Sequence, residues 1–165
     1  MENVSFKHTA GGLKIPKVEE NYFNVYAAEE VVIEPSKAEF VKTSTMYDVP
    51  KGYLLMVLPE PSPTKNVTVR FVNSVVFVRS GEKKELNILM ENVTPLSIRK
   101  TVAPEYYLID GTHIKNDYSK GYLPTNTVVV KKGDCICKAF LVKVEEFGLS
   151  RTTKKTQELP NEKEK

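Results

Sequence analysis

Cys135 and Cys137 are the only cysteines of the chain, and His8 and His113 its only histidines. A transition-metal site would have to be built on these four side chains. Their spacing argues against one. Residues i and i+2 of a strand share a face, but two thiolates do not close a tetrahedral site, and both histidines stand far off in sequence. The cysteines read as two small, reduced, half-buried side chains in a cytosolic setting. A second group is cationic. Arg79, Lys83, Lys84, Lys132 and Lys138 could offer positive charge to an anionic ligand, although Arg79 to Lys84 also has the composition of a solvated hairpin tip. A third group is aromatic. Tyr106, Tyr107, Tyr118 and Tyr122 fall between Thr101 and Asn126 among turn residues. Tyrosine presents a large rigid area with a polar tip, which suits a contact surface with a protein partner; the same rings would equally pack the segment onto its own barrel.

The elements that must position these residues are strands. Short runs rich in Val, Ile, Tyr and Phe alternate with Pro, Gly, Asn and Asp. They predict strands over Asn24–Tyr26, Val31–Ile33, Ala38–Thr43, Tyr53–Leu58, Val67–Val72, Val75–Val78, Glu85–Met90, Leu96–Val102, Thr127–Val130 and Cys135–Val144. No window sustains a helical apolar stripe, and at most a short helical turn is expected near Thr64. Val49-Pro50-Lys51-Gly52 and Lys131-Lys132-Gly133-Asp134 have turn chemistry, and Arg79-Ser80-Gly81-Glu82 is expected as a hairpin tip. Many short, evenly spaced strands indicate an all-β sandwich or jelly roll. Residues 101–126 stand out as a long insertion, since loops of that length usually serve as a lid or contact surface. Residues 151–165, almost without apolar content, form an expected mobile, charged tail after a single domain of residues 1–150.

The chain has 165 residues, enough for one domain with a real core, and 41% hydrophobic against 27% charged residues places it among globular proteins. No stretch approaches the roughly 20 apolar residues of a membrane span, and the first residues lack the basic and apolar regions of a signal peptide. A cytoplasmic location is expected. The triplets at Asn3, Asn66 and Asn92 are then chance matches to a glycosylation acceptor. A net charge of +3 and the absence of tryptophan give no nucleic-acid footprint, so nucleic acid and membrane are not expected partners.

The order of short motifs resembles that of the trimeric dUTPases. Tyr22-Phe23-Asn24-Val25-Tyr26-Ala27-Ala28-Glu29, the turn Pro50-Lys51-Gly52-Tyr53, a strand ending at Leu58-Pro59, the pair Asn73-Ser74, the turn Lys132-Gly133-Asp134 and a remnant at Phe147-Gly148 occur in the family's order. The resemblance runs from about Phe6 to about Ser150. It implies a dUTPase-like jelly roll, a homotrimer, active sites at subunit boundaries, and cleavage of dUTP to dUMP and pyrophosphate with Mg²⁺.

The groups that the family uses for this chemistry are replaced. Asn24 stands where an aspartate helps hold the metal, and a neutral amide is a poor ligand for Mg²⁺. The phosphate loop reads Pro59-Glu60-Pro61-Ser62-Pro63, with Glu60 bringing negative charge and two prolines lacking N–H donors. Arg79 occupies the place of the general base and cannot release its proton at neutral pH. Glu82 takes the position of the tyrosine under the deoxyribose. Cys135 and Lys138 replace the arginine and glutamine of the fourth motif. The expected function is therefore a catalytically inactive dUTPase-like structural or protein-interaction module, without cofactor and with an unidentified protein partner. The alternatives are a non-hydrolysing nucleotide binder and an active dUTP diphosphatase with a divergent, Mg²⁺-dependent site. A host enzyme copied and stripped of its chemistry suggests a viral or phage origin, in an infected cell or a virion.

Overall fold

The computed structural model describes residues 3–59, 69–96, 105–115, 123–145 and 148–149. Among them the secondary structure is entirely β. The strands are β1 (Ser5–His8), β2 (Val18–Glu19), β3 (Tyr22–Tyr26), β4 (Val31–Ile33), β5 (Ala38–Asp48), β6 (Tyr53–Pro59), β7 (Val69–Phe71), β8 (Val76–Arg79), β9 (Glu85–Asn92), β10 (Glu105–Leu108), β11 (His113–Lys115), β12 (Thr127–Val130) and β13 (Cys135–Lys143). They form three sheets, ordered β1-β5-β9-β7, β11-β10-β12-β4 and β2-β3-β13-β6-β8. All ladders are antiparallel except β10 with β12. The architecture is a jelly roll, as the strand pattern predicts.

Alternation builds the core. On β3, Phe23 and Val25 face inward while Tyr22, Asn24 and Tyr26 face out. Inward residues of all three sheets meet in one cluster that includes Val25, Ile33, Val41, Leu55, Val57, Ile88, Val130, Ile136 and Ala139. Burying such a side chain fully contributes about 1.5–3 kcal/mol. β12 is buried at all four positions, as befits a strand covered on both sides.

Turn chemistry holds where it is most specific. Gly52, Gly81 and Gly133 take positive φ (80°, 81° and 86°), each as third residue of a turn closed by an i to i+3 hydrogen bond: Tyr53 N–H to Pro50 (3.2 Å), Glu82 N–H to Arg79 (3.1 Å) and Asp134 N–H to Lys131 (3.0 Å). This backbone favours glycine at that place.

Several expectations need correction. Arg79-Ser80-Gly81-Glu82 is not a hairpin tip: β8 pairs with β6 and β9 with β5 and β7, so the turn carries the chain from one sheet to another. The two cysteines do not share a face. A β-bulge sets Cys135 opposite Tyr26 and Cys137 opposite Val25, residues on opposite faces of β3. Cys135 is half-buried, and Ile136 and Cys137 are both buried, because the bulge inserts one residue and breaks the alternation. The 101–126 segment is not wholly loop, since β10 and β11 lie in it and join β12. Strands β1 and β2 have too few alternating apolar residues to signal themselves. Leu96 lies outside any strand. The rest of the expected Leu96–Val102 strand, the turn near Thr64 and the tail 151–165 fall outside the described residues.

Tyr47, on β5, is buried beside Phe23, with ring centroids 5.4 Å apart. Burial, with Cys137 adding to it, pushes its phenol well above the ordinary tyrosine range. Above about pH 10 the unfolded chain releases this proton while the native state keeps it. The stability that the neutral phenol contributes is thus full below about pH 10 and declines as pH rises further, by up to about 1.4 kcal/mol per unit. Urea midpoints at pH 8, 10 and 11 should fall less steeply in Tyr47→Phe than in the unmodified chain; equal slopes would show that Tyr47 does not control the alkaline limb.

Candidate functional site

Three rows of side chains line the outer face of the β2-β3-β13-β6-β8 sheet. Directly opposed residues of antiparallel strands point to the same side. Register therefore aligns Asn24, Lys138 and Leu58 in one row, and Glu19, Tyr22, Phe140, Met56 and Phe77 in the next. Val142, Leu54 and Arg79 make the third.

The first two rows hold a polar cluster at the β2-β3-β13 end. Lys138 Nζ sits over the Tyr22 ring, 4.9 Å from its centroid. The Tyr22 hydroxyl donates to Glu19 Oε2 (2.9 Å), and Asn24 Nδ2 approaches Glu19 Oε1 at 3.5 Å. Asn24 Oδ1 is buried without a hydrogen-bond partner. The Tyr22 phenol is pushed above its ordinary value, first because it donates to the Glu19 carboxylate and then by desolvation. Sequence reasoning missed Glu19. It is exposed on a two-residue strand, and only the pairing of β2 with β3 brings it beside Tyr22.

Arg79 lies on the same face but three strands from Asn24. At about 4.8 Å per strand, that is some 14 Å across the sheet, so one chain does not bring these two positions together. Glu82 is occupied in its own turn. Its carboxylate accepts the Arg79 N–H (2.9 Å) and pairs with Lys84 (2.5 Å). These contacts, Lys84 first, hold its carboxyl below the ordinary range. Asp134 accepts the Lys131 N–H at 2.8 Å in the turn before β13. Cys135 is opposite Tyr26, over which Lys14 Nζ is placed 5.0 Å from the ring centroid, while the same ammonium donates to the Gly133 carbonyl (2.7 Å).

Of the tyrosines, Tyr107 is only 8% exposed and packs with Val128. Its ring stacks on His113 with centroids 5.0 Å apart, which ties β10 to β11. Tyr106 is half-buried. Glu60, Ser62, Tyr118 and Tyr122 lie outside the described residues.

No protein-family model matches the chain. A curated relative, the deoxyuridine 5'-triphosphate nucleotidohydrolase of Mycobacterium marinum, is 29% identical over 72 residues, which are 44% of this chain and 47% of that protein. The chain thus spans about half the length of the curated relative it matches. Among solved structures the likeness extends much further. The dUTPase from phage phi11 of S. aureus aligns with a TM-score of 0.77 and 16% identity, covering 94% of this chain and 99% of that one. The Staphylococcus bacteriophage 80alpha dUTPase, solved with dUPNHPP, gives 0.77 and 15%, covering 97% and 94%. The chain has a dUTPase-like fold.

Asn24 and Lys138, the positions that the resemblance assigns to the first and fourth motifs, are direct cross-strand neighbours. Pro59, where the resemblance places the start of the second motif, pairs with Cys137 on the other side of β13. The divalent cation implied by the resemblance does not fit the side chains at this place. Mg²⁺ is held by hard, anionic oxygens, whereas here a neutral amide is the cross-strand neighbour of a lysine whose ammonium lies over Tyr22, and the nearby carboxylate already accepts from Tyr22. Among the described residues no group of three or more His, Cys, Asp or Glu could hold a metal.

Proposed function

We propose that this chain is a dUTPase-like protein that has lost dUTP hydrolysis and acts as a structural or protein-interaction module within a homo-oligomer. The observation that carries it is the pairing of Asn24 with Lys138, which puts an ammonium where metal-assisted chemistry needs anionic oxygen. Arg79 at the general-base position adds to this, because a guanidinium stays protonated at neutral pH. Glu82, held by Lys84 and the Arg79 N–H, is not free to serve instead.

A role beyond hydrolysis has support from a structural neighbour. Phage dUTPases such as that of bacteriophage 80alpha control transfer of virulence genes by a proto-oncogenic G protein-like mechanism, so in that phage the fold also serves regulation. A phage or viral origin and an intracellular site of action for this chain fit that neighbourhood. Support for the homo-oligomer comes from the sheet face itself, where Tyr22, Phe140, Met56, Leu54, Leu58 and Phe77 leave apolar surface partly uncovered.

Pyrophosphate release from dUTP with Mg²⁺ is the decisive measurement. No release above the uncatalysed background is expected. Turnover at about 1 per second or faster, the ordinary range for enzymes, would overturn the proposal. Thermal melting in the same samples distinguishes a non-hydrolysing nucleotide binder, which Lys138 favours: dUTP or dUMP would then raise the midpoint without turnover.

A further inference from the structure

Asn24 and Lys138 oppose each other on neighbouring strands, with Cβ atoms expected about 5 Å apart. One row along, Tyr22 connects two opposite charges, those of Lys138 and Glu19. Its ring face lies under Lys138 Nζ, an arrangement attractive to a cation, and its hydroxyl donates to Glu19. The Asn24 amide turns its nitrogen toward the other oxygen of the same carboxylate. Glu19 and Lys138 thus meet across a single tyrosine, with the Glu20 carboxylate also close enough to act on its phenol. An aspartate at position 24 would set a second carboxylate against Glu19 and would need a cation between them; the amide needs none.

We infer that Lys138 takes the place of a divalent cation on this face, so that the site excludes Mg²⁺ and its congeners and carries its positive charge covalently. This rests on the loss of metal-assisted chemistry proposed above, but the two can fail separately. Mn²⁺ binding without dUTP turnover would overturn this inference alone. Turnover that persists in EDTA would overturn the proposed function alone.

Mn²⁺ titrated into the full chain, followed by the EPR signal of the free ion, tests it. The unmodified chain is expected to bind no ion tighter than about 1 mM. Asn24→Asp/Lys138→Gln, which adds a negative charge and removes a positive one, should bind Mn²⁺ at least about tenfold more tightly, and Asn24→Asp alone should gain less, because the ammonium remains opposite. Tight uptake by the unmodified chain that Glu19→Gln abolishes would overturn the inference. So would a double variant that is native by circular dichroism yet binds no better than the unmodified chain. Should the double variant fail to fold, Lys138→Gln alone must still gain affinity, and its failure to do so would count against the inference equally.

Discussion

Asn92→Ala should lower stability by about 3–5 kcal/mol and the thermal midpoint by on the order of 10 °C. Asn92 ends β9 with no exposed surface. Its Nδ2 donates to the Ile33 carbonyl (3.1 Å) and to the Asn126 carbonyl (2.9 Å), and its Oδ1 accepts the Thr94 N–H (3.1 Å). One amide therefore ties the end of β4, the turn that leads into β12 and the exit of β9. Alanine leaves these polar groups short of a partner in a buried place, and each such loss costs about 1–3 kcal/mol. Asn92→Asp should be at least as damaging, because a carboxylate cannot donate to either carbonyl and brings an unpaired charge into the interior. Asn87→Ala, at an exposed site of the same strand, should stay within about 0.5 kcal/mol of the unmodified chain. Urea or thermal melts followed by far-ultraviolet circular dichroism separate these cases. An Asn92→Ala midpoint as high as that of Asn87→Ala would show that the amide does not hold the three elements together.

Asn92 also marks a limit of the sequence. In one dimension it is the first residue of an Asn-Val-Thr triplet, and nothing local says that it will be buried; two of its three partners are 34 and 59 residues away. Glu85–Asn92 is legible because a half-buried sheet imposes a period of two, and Tyr53–Pro59 because a short continuous apolar run follows a turn. The turns at Gly52 and Gly133 are legible because positive φ restricts the choice of residue. The bulge at Cys135–Cys137 is not, since it changes which face a residue takes without changing composition. Nor is the role of Arg79-Ser80-Gly81-Glu82, because the same turn sequence serves a hairpin or a passage between sheets, and only pairing decides. The candidate site was half legible. The motif order locates Asn24 and Lys138, which the register then makes neighbours. Glu19 came into the site through a ladder of two residues, too short to leave a pattern.

Phe77→Glu should convert an oligomer into monomers. Phe77 is 45% exposed and ends the row that runs through Tyr22, Phe140 and Met56, flanked by half-buried Leu54 and Leu58. A contiguous apolar face of this kind marks an interface. The opposite sheet carries a different apolar patch. Phe40, 61% exposed, opposes Leu89, whose carbonyl accepts the Val72 N–H at 3.0 Å, and Val72 is exposed as well. Two unlike patches on one chain suit a head-to-tail contact, which closes into a ring when the rotation allows, whereas a two-fold contact uses one patch twice. Light scattering coupled to gel filtration should give the unmodified chain about three times its 18.7 kDa mass. A carboxylate forced into either patch must be desolvated on association, so association should weaken by about 100-fold or more, equivalent to some 2.7 kcal/mol. Phe77→Glu and Phe40→Glu should then both yield monomers with unchanged circular dichroism. A ring is ruled out if Phe40→Glu leaves the mass unaltered while Phe77→Glu halves it, for that result requires the outer face around Phe77 to pair with its own copy.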